Sequence, residues 1–152
     1  VLGDFLNEKS CTSMEYIKQL LQGKYPAAPK FSVMISHVKD IAKAHVLSLN
    51  NKKAEGRRLI VGSGTRSILE LSKIMIENIP SHSKKLPKKE LPNFMVKIIS
   101  YLDSSAKNLV PDLGLKMETD TKYAEEILQM KFIEPEVSVV DAAKSVIRLN
   151  LA

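Results

Sequence analysis

The chain is 152 residues long, 44% hydrophobic and positively charged, with 23 Lys and Arg against 17 Asp and Glu. That length suits one domain with a hydrophobic core, and no apolar stretch approaches the roughly 20 residues that a transmembrane helix needs. The single cysteine, Cys11, excludes an internal disulfide and favours a reducing compartment. We therefore expect a cytoplasmic protein with no membrane partner.

The net charge of +6 raises the question of nucleic-acid binding. The densest basic stretch, residues 83–92, contains two prolines and no aromatic residue on which a base could stack. It is predicted to be a solvated loop, and no nucleic-acid partner is expected. His37, His45 and His82 are far apart, with no Cys or carboxylate at metal-ligand spacing. No metal site is predicted, and His45 is expected to pack, partly buried, on an apolar helix face.

The first third of the chain predicts two helices and a short strand between them. Residues 12–15 have the pattern of a capping box, and apolar residues at helical spacing follow until Gly23. Residues 31–35 alternate between apolar and polar positions as in a half-buried strand. A helical period then begins, and its predicted apolar face consists of Val38, Ile41, Ala42, His45 and Leu49.

Residues 59–61 form an unalternated apolar run, which is typical of a strand buried on both faces of a parallel sheet. Residues 67–70 have a second capping-box pattern and predict a helix that ends near Ile79. Two short strands are too few for a stable sheet. We therefore expect residues 59–61 to pair, through main-chain hydrogen bonds, with a strand from another part of the protein or from another chain.

The last third of the chain predicts three helices. Pro92 suits the first helical position, and the apolar stripe predicted after it consists of Phe94, Met95, Ile98, Ile99 and Leu102. Two further helices are predicted at about residues 120–128 and 135–149.

The glycine pair Gly62 and Gly64 follows an apolar run and precedes a helix, where a dinucleotide-binding loop would lie. Ser67 takes the place of the third glycine, and no second strand with a terminal acidic residue follows. The residues leave open a phosphate-binding loop and a plain strand-to-helix turn, and the incomplete motif favours the turn.

A reductase centre of the Ser-Tyr-Lys type needs Tyr and Lys four residues apart, so that one helix face presents both side chains. The residues four positions after the four tyrosines are Leu20, Pro29, Ser105 and Ile127. The pattern is therefore absent from the chain, and no catalytic residue is predicted in it.

Five stretches together resemble a known family: VLG from residue 1, SCTSMEYIKQLLQGKYP from 10, SHVKDIAKAHVLSLNNKKAEGRRLIV from 36, LPNFMVKIISYLDSSAKNLVPDLG from 91 and TDTKYAEEIL from 119. They are similar to the C-terminal half of extended short-chain dehydrogenase/reductases of the NAD-dependent epimerase/dehydratase superfamily. The branch they most resemble is the dihydroflavonol reductase and aldehyde reductase group. The likeness covers nearly the whole chain, and its most specific element is VKDIAKAH followed by EGRRLIV.

The resemblance implies an α/β fold in which residues 1–152 are the mostly helical, substrate-side C-terminal portion of an extended Rossmann-type reductase. One or two strands would complete a parallel sheet contributed largely from outside this chain. The missing N-terminal domain would bind NADP and carry the catalytic Ser, Tyr and Lys. The implied activity is reduction of an aldehyde, ketone or flavanonol-like carbonyl to an alcohol, and the chain alone would be inactive. The first residue is not Met, and we expect the chain to be part of a longer protein.

The resemblance also implies positions for the binding residues. Those expected near the cofactor are Val1, Leu2, Gly3, Ser10, Thr12 and Ser13. Those expected to border the substrate are Asp4, Phe5, Leu6, Asn7, Phe31, Val33, Met34, Phe94 and Tyr101. The chain departs from the family at Asp4, where Pro is common, and at Gln129, where Gly is frequent. His37 stands where many relatives have Asp.

The alternative from a different functional class is a freestanding helical adaptor domain with a basic surface. The unpaired strand predicted at residues 59–61 argues against it, because an independent domain would complete its own sheet.

Overall fold

The computed structural model describes residues 1–9, 11–101, 104–115 and 117–152, with no account of the side chains of residues 104–106. The helices in these ranges are α1 (Thr12–Leu21), α2 (Val38–Leu49), α3 (Ile68–Asn78), α4 (Asn93–Ile99), α5 (Ser104–Leu109), α6 (Lys122–Leu128) and α7 (Pro135–Arg148). The strands are β1 (Ala28–Pro29), β2 (Ser32–Ile35), β3 (Gly64–Ser67) and β4 (Glu90–Leu91). Short 3-10 turns occupy Pro80–His82 and Val110–Asp112.

The main core is the hydrophobic cluster formed where α1 and α3 both pack against α7. Small residues of α7, Ala142 and Ala143, are fully buried there, which allows the three helices to approach closely. The large side chains that are fully buried in this core include Ile17, Leu20, Leu71, Met75 and Val139. One face of each helix supplies these residues, as the helical spacing in the sequence requires.

Helix α1 is confirmed, but it begins one residue earlier than the predicted capping box implies, and that capping box is wrong. Thr12 is already helical and Cys11 is the N-cap, with no side-chain hydrogen bond to the first turn. The Glu15 carboxylate instead accepts a hydrogen bond of 2.8 Å from the Gln19 side chain. Gly23 follows the helix with φ +76°, a backbone conformation that glycine adopts without strain.

The described strands form two small sheets. β2 pairs antiparallel with β3, and β1 pairs parallel with β4. The N-terminal segment adds a parallel bridge beside the end of β2, where Leu2 donates to the Ser36 carbonyl and accepts from the Val38 amide, both at 2.8 Å. The predicted strand at residues 31–35 is thus confirmed as β2, with one residue fewer.

The strand predicted at residues 59–61 is wrong for this chain, because no strand is assigned there. Within the described residues, no backbone hydrogen bond joins Leu59 or Ile60 to another segment. The Val61 carbonyl accepts a 2.7 Å hydrogen bond from the Ser36 hydroxyl, a side chain and not a strand backbone. The physical reason is that no second strand lies beside this apolar run in the part of the chain that is described.

Helix α2 has the predicted bounds but not the predicted buried face. Asp40 and Ala44 are its buried residues, while Val38 is 41% exposed and Leu49 is 79% exposed. His45 is exposed too, which corrects the expectation that it packs on an apolar face. The reason lies in tertiary contacts, since α2 packs against α6 and the Asp40 carboxylate accepts a 2.7 Å hydrogen bond from the Ile133 amide.

We call the small hydrophobic cluster beside α2 the α2 cluster. Its buried residues are Ala44, Leu128 and Met130, and the partly buried residues packed on them are Leu47, Leu59, Val61, Ile127 and Phe132. Leu49 lines a groove together with Leu59 and Leu128 of this cluster, and its side chain is 79% exposed. This side of the chain therefore presents apolar surface that the described residues do not cover.

The predicted second capping box is confirmed. The Ser67 hydroxyl accepts from the Glu70 amide, and the Glu70 carboxylate accepts from the Ser67 amide at 2.7 Å. These reciprocal bonds satisfy two backbone donors at the start of α3. The Ser67 hydroxyl also donates to the Glu70 carboxylate at 2.7 Å, and this bond is the largest cause of the lowered pKa of Glu70, followed by the bond from the Ser67 amide.

The C-terminal helices α6 and α7 confirm the predictions to within two residues at each end. After Pro92, α4 is also present, but Pro92 is its N-cap and not its first helical residue. The predicted apolar stripe of α4 is largely exposed, because Val96 alone of its seven residues is buried. Leu102 lies outside the described residues. Helix α5 was not predicted.

Candidate functional site

A cavity of about 280 Å³ lies between the N-terminal segment, the first turns of α1 and strand β2. The residues that line it are Val1, Leu2, Thr12, Ser13, Tyr16, Ile17, Phe31, Val33, Met34, Ile35, Leu71 and Leu109. Most of these side chains are apolar, and three hydroxyl groups lie among them. A mainly apolar cavity with a few polar groups is the usual form of a small-molecule site.

The N-terminal wall of the cavity is held in place by the parallel bridge between Leu2 and the end of β2. Gly3 follows Leu2 and has a φ angle of +122°. A Cβ atom at Gly3 would lie 2.9 Å from the Val38 side chain and 3.1 Å from the His37 ring. Glycine is therefore required at this position, since both the backbone angle and the close contact exclude a side chain.

His37 connects the N-terminal segment to α2 and α7. Its side chain is 1% exposed, and its Nδ1 atom accepts a hydrogen bond of 3.1 Å from the Lys39 amide, which caps α2. In the neutral ring the proton then lies on Nε2, which is 3.4 Å from the Asp141 carboxylate of α7. This histidine thus performs the helix-capping role that Asp commonly performs.

Tyr16 is one helical turn beyond Thr12 and lines the inner part of the cavity. Its ring lies 5.9 Å from the Tyr25 ring and 6.5 Å, edge-on, from the Phe31 ring. Its hydroxyl oxygen is buried and has no hydrogen-bond partner among the described residues. Burial raises the pKa of Tyr16, and the neighbouring Tyr25 raises it further, so the phenol keeps its proton.

The cavity brings together residues from both predicted groups. Those expected near the cofactor are Val1, Leu2, Thr12 and Ser13, and those expected near the substrate are Phe31, Val33 and Met34. Gly3 is next to this wall, whereas Ser10 lies outside the described residues. Their roles in binding stay predictions.

The loop of residues 4–7 turns away from this wall towards α7. The Phe5 amide donates to the Ser145 hydroxyl at 3.0 Å, and the Asp4 carboxylate accepts from Arg148 at 2.6 Å. Leu6 is 90% exposed and Asn7 is exposed as well. The acidic residue at the family's proline position therefore anchors the loop to the last helix through an ion pair.

Phe94 and Tyr101 do not line the cavity. Phe94 is 63% exposed and borders a separate groove with Lys30 and Glu90, while Tyr101 is 89% exposed. In the described structure these two predicted substrate contacts therefore lie apart from the predicted binding residues that line the cavity.

The glycine pair packs against β2 and does not form an open cradle. A Cβ atom at Gly62 would lie 2.9 Å from the Ile35 carbonyl, and the Ser63 amide donates to that same carbonyl at 2.9 Å. Gly64 has φ +131° and starts β3. The space that a phosphate would need beside Gly62 is thus filled by β2, in agreement with the interpretation as a turn.

Sequence reasoning missed five residues of the cavity wall: Tyr16, Ile17, Ile35, Leu71 and Leu109. Two of them could have been found, because Tyr16 and Ile17 follow Thr12 and Ser13 by one turn on the same helix face. Leu71 and Leu109 come from α3 and α5, and no local pattern indicates that these helices meet the cavity.

Comparison with known proteins gives matches to reductases, although no protein-family model matches the chain. Tetraketide alpha-pyrone reductase 2 of Arabidopsis thaliana is 30% identical over 86 residues, which are 55% of this chain and 27% of that protein. The yeast methylglyoxal/isovaleraldehyde reductase Gre2, solved with NADPH, matches 98% of this chain and 44% of its own, with a TM-score of 0.67 and 21% identity. Gre2 from Candida albicans matches 98% of this chain and 42% of its own, with a TM-score of 0.70 and 23% identity.

The chain thus spans less than half the length of the proteins that it matches. No helix within its described residues is long and apolar enough to cross a membrane. The matched region is the C-terminal part of Rossmann-fold reductases, and the short strands and predominant helices agree with the fold class expected from the sequence. The resemblance is confirmed: the chain has the fold of the C-terminal part of an extended short-chain dehydrogenase/reductase.

Proposed function

We propose that this chain is the substrate-side part of an NADP(H)-dependent reductase that converts a carbonyl to an alcohol. The observation that carries the proposal is the cavity itself. Residues that the resemblance assigns to the cofactor side and to the substrate side of such an enzyme line one small, mainly apolar space. A reductase needs this juxtaposition, because hydride transfer requires the two reacting atoms to be held a few ångströms apart.

The residues of the cavity fit only one end of the cofactor. A space of about 280 Å³ suits a small substrate or an aromatic ring with its amide, and is too small for a whole dinucleotide. The filled space beside Gly62 agrees, since it leaves no room for a pyrophosphate at this turn. The phosphates would therefore be bound by the part of the protein that lies outside this chain.

NADPH, when bound, supplies the hydride that attacks the carbonyl carbon, and a proton must then reach the carbonyl oxygen. The chain lacks the Tyr-Lys pair that would donate this proton. Its own contribution is to exclude water with apolar walls such as Phe31 and Val33, and to orient the substrate with the hydroxyl groups of Thr12 and Ser13. The chain alone is therefore expected to be inactive.

The exposed apolar surface at the α2 cluster also supports the reductase proposal over a freestanding adaptor domain. Leu59 belongs to the α2 cluster and has no backbone hydrogen bond to another described segment, and the exposed side chain of Leu49 lines a groove together with it. In the proposed enzyme, residues 59–61 pair with a strand of the N-terminal domain, and that sheet covers the exposed side chains. An independent adaptor would leave this apolar surface in water, and exposed apolar patches commonly mark a surface that packs against another part of a protein.

The test is NADPH oxidation by the intact protein that contains this chain. Isovaleraldehyde and methylglyoxal are suitable first substrates, because one structural neighbour is named for their reduction. We expect aldehyde-dependent loss of NADPH absorbance with the intact protein and none with the 152-residue chain. A purified chain that consumes NADPH by itself contradicts the division of roles, and an intact protein that reduces no aldehyde or ketone contradicts the function.

A further inference from the structure

The N-terminal wall of the cavity, Val1 and Leu2, is held by contacts at two places along the chain. Leu2 makes two backbone hydrogen bonds of 2.8 Å with residues 36 and 38, beside the end of β2. Further along, the Phe5 amide donates to the Ser145 hydroxyl of α7 at 3.0 Å. The position of this wall therefore depends on how residues 36–38 and α7 are joined to each other.

The side chain of His37 joins them. It is 1% exposed, and its Nδ1 atom accepts a hydrogen bond of 3.1 Å from the Lys39 amide at the start of α2. At the opposite edge of the ring, Nε2 lies 3.4 Å from the Asp141 carboxylate of α7. The ring also lies against Gly3, since a Cβ atom there would be 3.1 Å from both Cε1 and Nε2. One buried side chain thus contacts the N-terminal segment, α2 and α7.

We propose that His37 is a positioning residue for hydride transfer, and that its ring fixes Val1 and Leu2 at a set distance from the β2 side of the cavity. The inference rests on the proposed function, in which Val1 and Leu2 border the nicotinamide, and Val33 and Met34 of β2 border the substrate. A shift of the first wall changes the separation of the two reacting atoms. Misplacement by about 1 Å can lower a rate on the order of 100-fold.

The capping of α2 and the positioning of the wall use different atoms of His37. The cap needs only an acceptor for the Lys39 amide, and the side-chain oxygen of an asparagine is a good acceptor at this position. The contacts with Gly3 and Asp141 need the far edge of the imidazole ring, which asparagine lacks. His37→Asn therefore keeps the cap and removes the contacts to which we assign the positioning.

The control variant is Ser67→Ala, which removes the cap of α3. Ser67 does not line the cavity, so this variant loses stability without a change at the N-terminal wall. Asp141→Ala is a milder variant of the proposed contact, because it removes only the contact of His37 with α7. The Asp141 side chain is 37% exposed, so this variant is expected to fold even if His37→Asn does not.

The first test is amide hydrogen exchange of the intact protein, followed by NMR, which does not depend on catalysis. The Leu2 and Val38 amides report on the two bonds that hold the wall, and the Leu20 amide reports on the main core. In His37→Asn, we expect the first two amides to exchange about tenfold faster relative to the Leu20 amide than in the wild type. In Ser67→Ala, this ratio should stay within about twofold of the wild type.

The second test measures kcat and KM of the intact enzyme with isovaleraldehyde and NADPH. His37→Asn should lower kcat about tenfold, because the reacting atoms are misplaced. Its KM for NADPH should stay within about threefold, because the phosphates are bound outside this chain in the proposed enzyme. Asp141→Ala should change kcat in the same direction by about threefold, and Ser67→Ala should leave kcat unchanged.

The inference is overturned if the exchange ratio and kcat of His37→Asn equal those of the wild type, because His37 is then only a cap. It is also overturned if the KM for NADPH rises while kcat is unchanged, or if the wall amides exchange faster with no change in kcat. If the wild type reduces no aldehyde, the proposed function fails. The exchange ratio then still decides whether His37 holds the wall in place.

Discussion

The main core and the α2 cluster differ in how completely this chain covers them. In the main core, α1, α3 and α7 bury their apolar faces against one another, and Leu20 and Leu21 are 0% exposed. The α2 cluster has three buried residues, and Leu49 beside it is 79% exposed. Both regions have similar apolar patterns in the sequence, so the difference lies in the presence of a packing partner.

The cavity is lined by residues of the main core, such as Ile17 and Leu71, whereas residues 59–61, which pair with no strand among the described residues, lie at the α2 cluster. This division is what a substrate-side portion of a larger enzyme requires: its binding wall is built by its own helices, and its other surface packs against a sheet from the rest of the enzyme. The proposed contact with a second domain would cover the exposed apolar surface at the α2 cluster and would leave the cavity unchanged.

The largest effect on stability is expected when a charge is introduced at residue 60 of the intact protein. Ile60→Asp should destabilise it by several kcal/mol or prevent folding, because a strand buried on both faces would carry an unpaired carboxylate. Val137→Asp is the matched control, since Val137 is 47% exposed and Ile60 44%. Denaturant unfolding of both variants measures the difference. Equal, small effects would show that residue 60 stays exposed and that no sheet covers it.

A truncation in the main core is expected to have the next largest effect. Leu20→Ala should lower the free energy of unfolding by about 2–5 kcal/mol, because it leaves a cavity among fully buried side chains. Leu115→Ala, at a residue that is 60% exposed, should stay within about 0.5 kcal/mol of the wild type. Urea unfolding curves of the intact protein provide both values. A Leu20→Ala variant as stable as Leu115→Ala would contradict the described packing.

The capping box of α3 predicts a smaller, pH-dependent effect. Ser67→Ala should destabilise the protein by about 1 kcal/mol near neutral pH, because the first turn loses its cap. The hydrogen bonds to Ser67 lower the pKa of Glu70 from its ordinary 4.5. Their stabilisation is therefore present above pH 4.5 and lost as the pH falls through the folded-state pKa.

The measurement for this prediction is the difference in unfolding free energy between wild type and Ser67→Ala at a series of pH values. The difference should shrink as the solution is acidified below the ordinary pKa of Glu70. Glu70→Gln serves as the control, because it removes the titrating group and should make the difference independent of pH in that range. A difference that grows on acidification would have the wrong sign for this mechanism.

The last effect, about as large as that of Ser67→Ala, is expected at the end of α6, beside the α2 cluster. Gln129 follows Leu128 in a left-handed conformation, with φ 49°. Gln129→Gly should stabilise the protein by about 1 kcal/mol, since glycine adopts this conformation without the steric cost of a Cβ atom. Gln129→Ala tests the cause, because it keeps the Cβ atom and should bring no gain in melting temperature.

Local sequence patterns predicted the helices that depend on neighbouring residues. They failed where contacts with a distant segment determine which residues are buried. The spacing of Met14, Ile17 and Leu20 predicted α1, and the Ser67 and Glu70 pair predicted the start of α3. The buried face of α2 could not be predicted, because Asp40 is buried through a hydrogen bond to Ile133, 93 positions away. Helix α5 has no apolar period in its six residues, SSAKNL, and was missed for that reason.

The cavity shows the same limit. The resemblance named seven of its wall residues, since they follow from positions in one family. Tyr16 was missed although it is one turn from Thr12, because nothing in the sequence shows that its hydroxyl is buried without a partner. That property depends on the packing of the Tyr25 and Phe31 rings around it.

Blocking the cavity tests most directly whether it is the substrate side of a reductase. The measurement is the rate of NADPH oxidation with isovaleraldehyde by the intact protein and by its Val33→Trp variant. Val33 lines the cavity, and a tryptophan there would occupy much of its volume. We expect aldehyde-dependent oxidation by the wild type and a fall in kcat/KM for the aldehyde on the order of 100-fold in the variant. Equal kcat/KM values for the two proteins would contradict it.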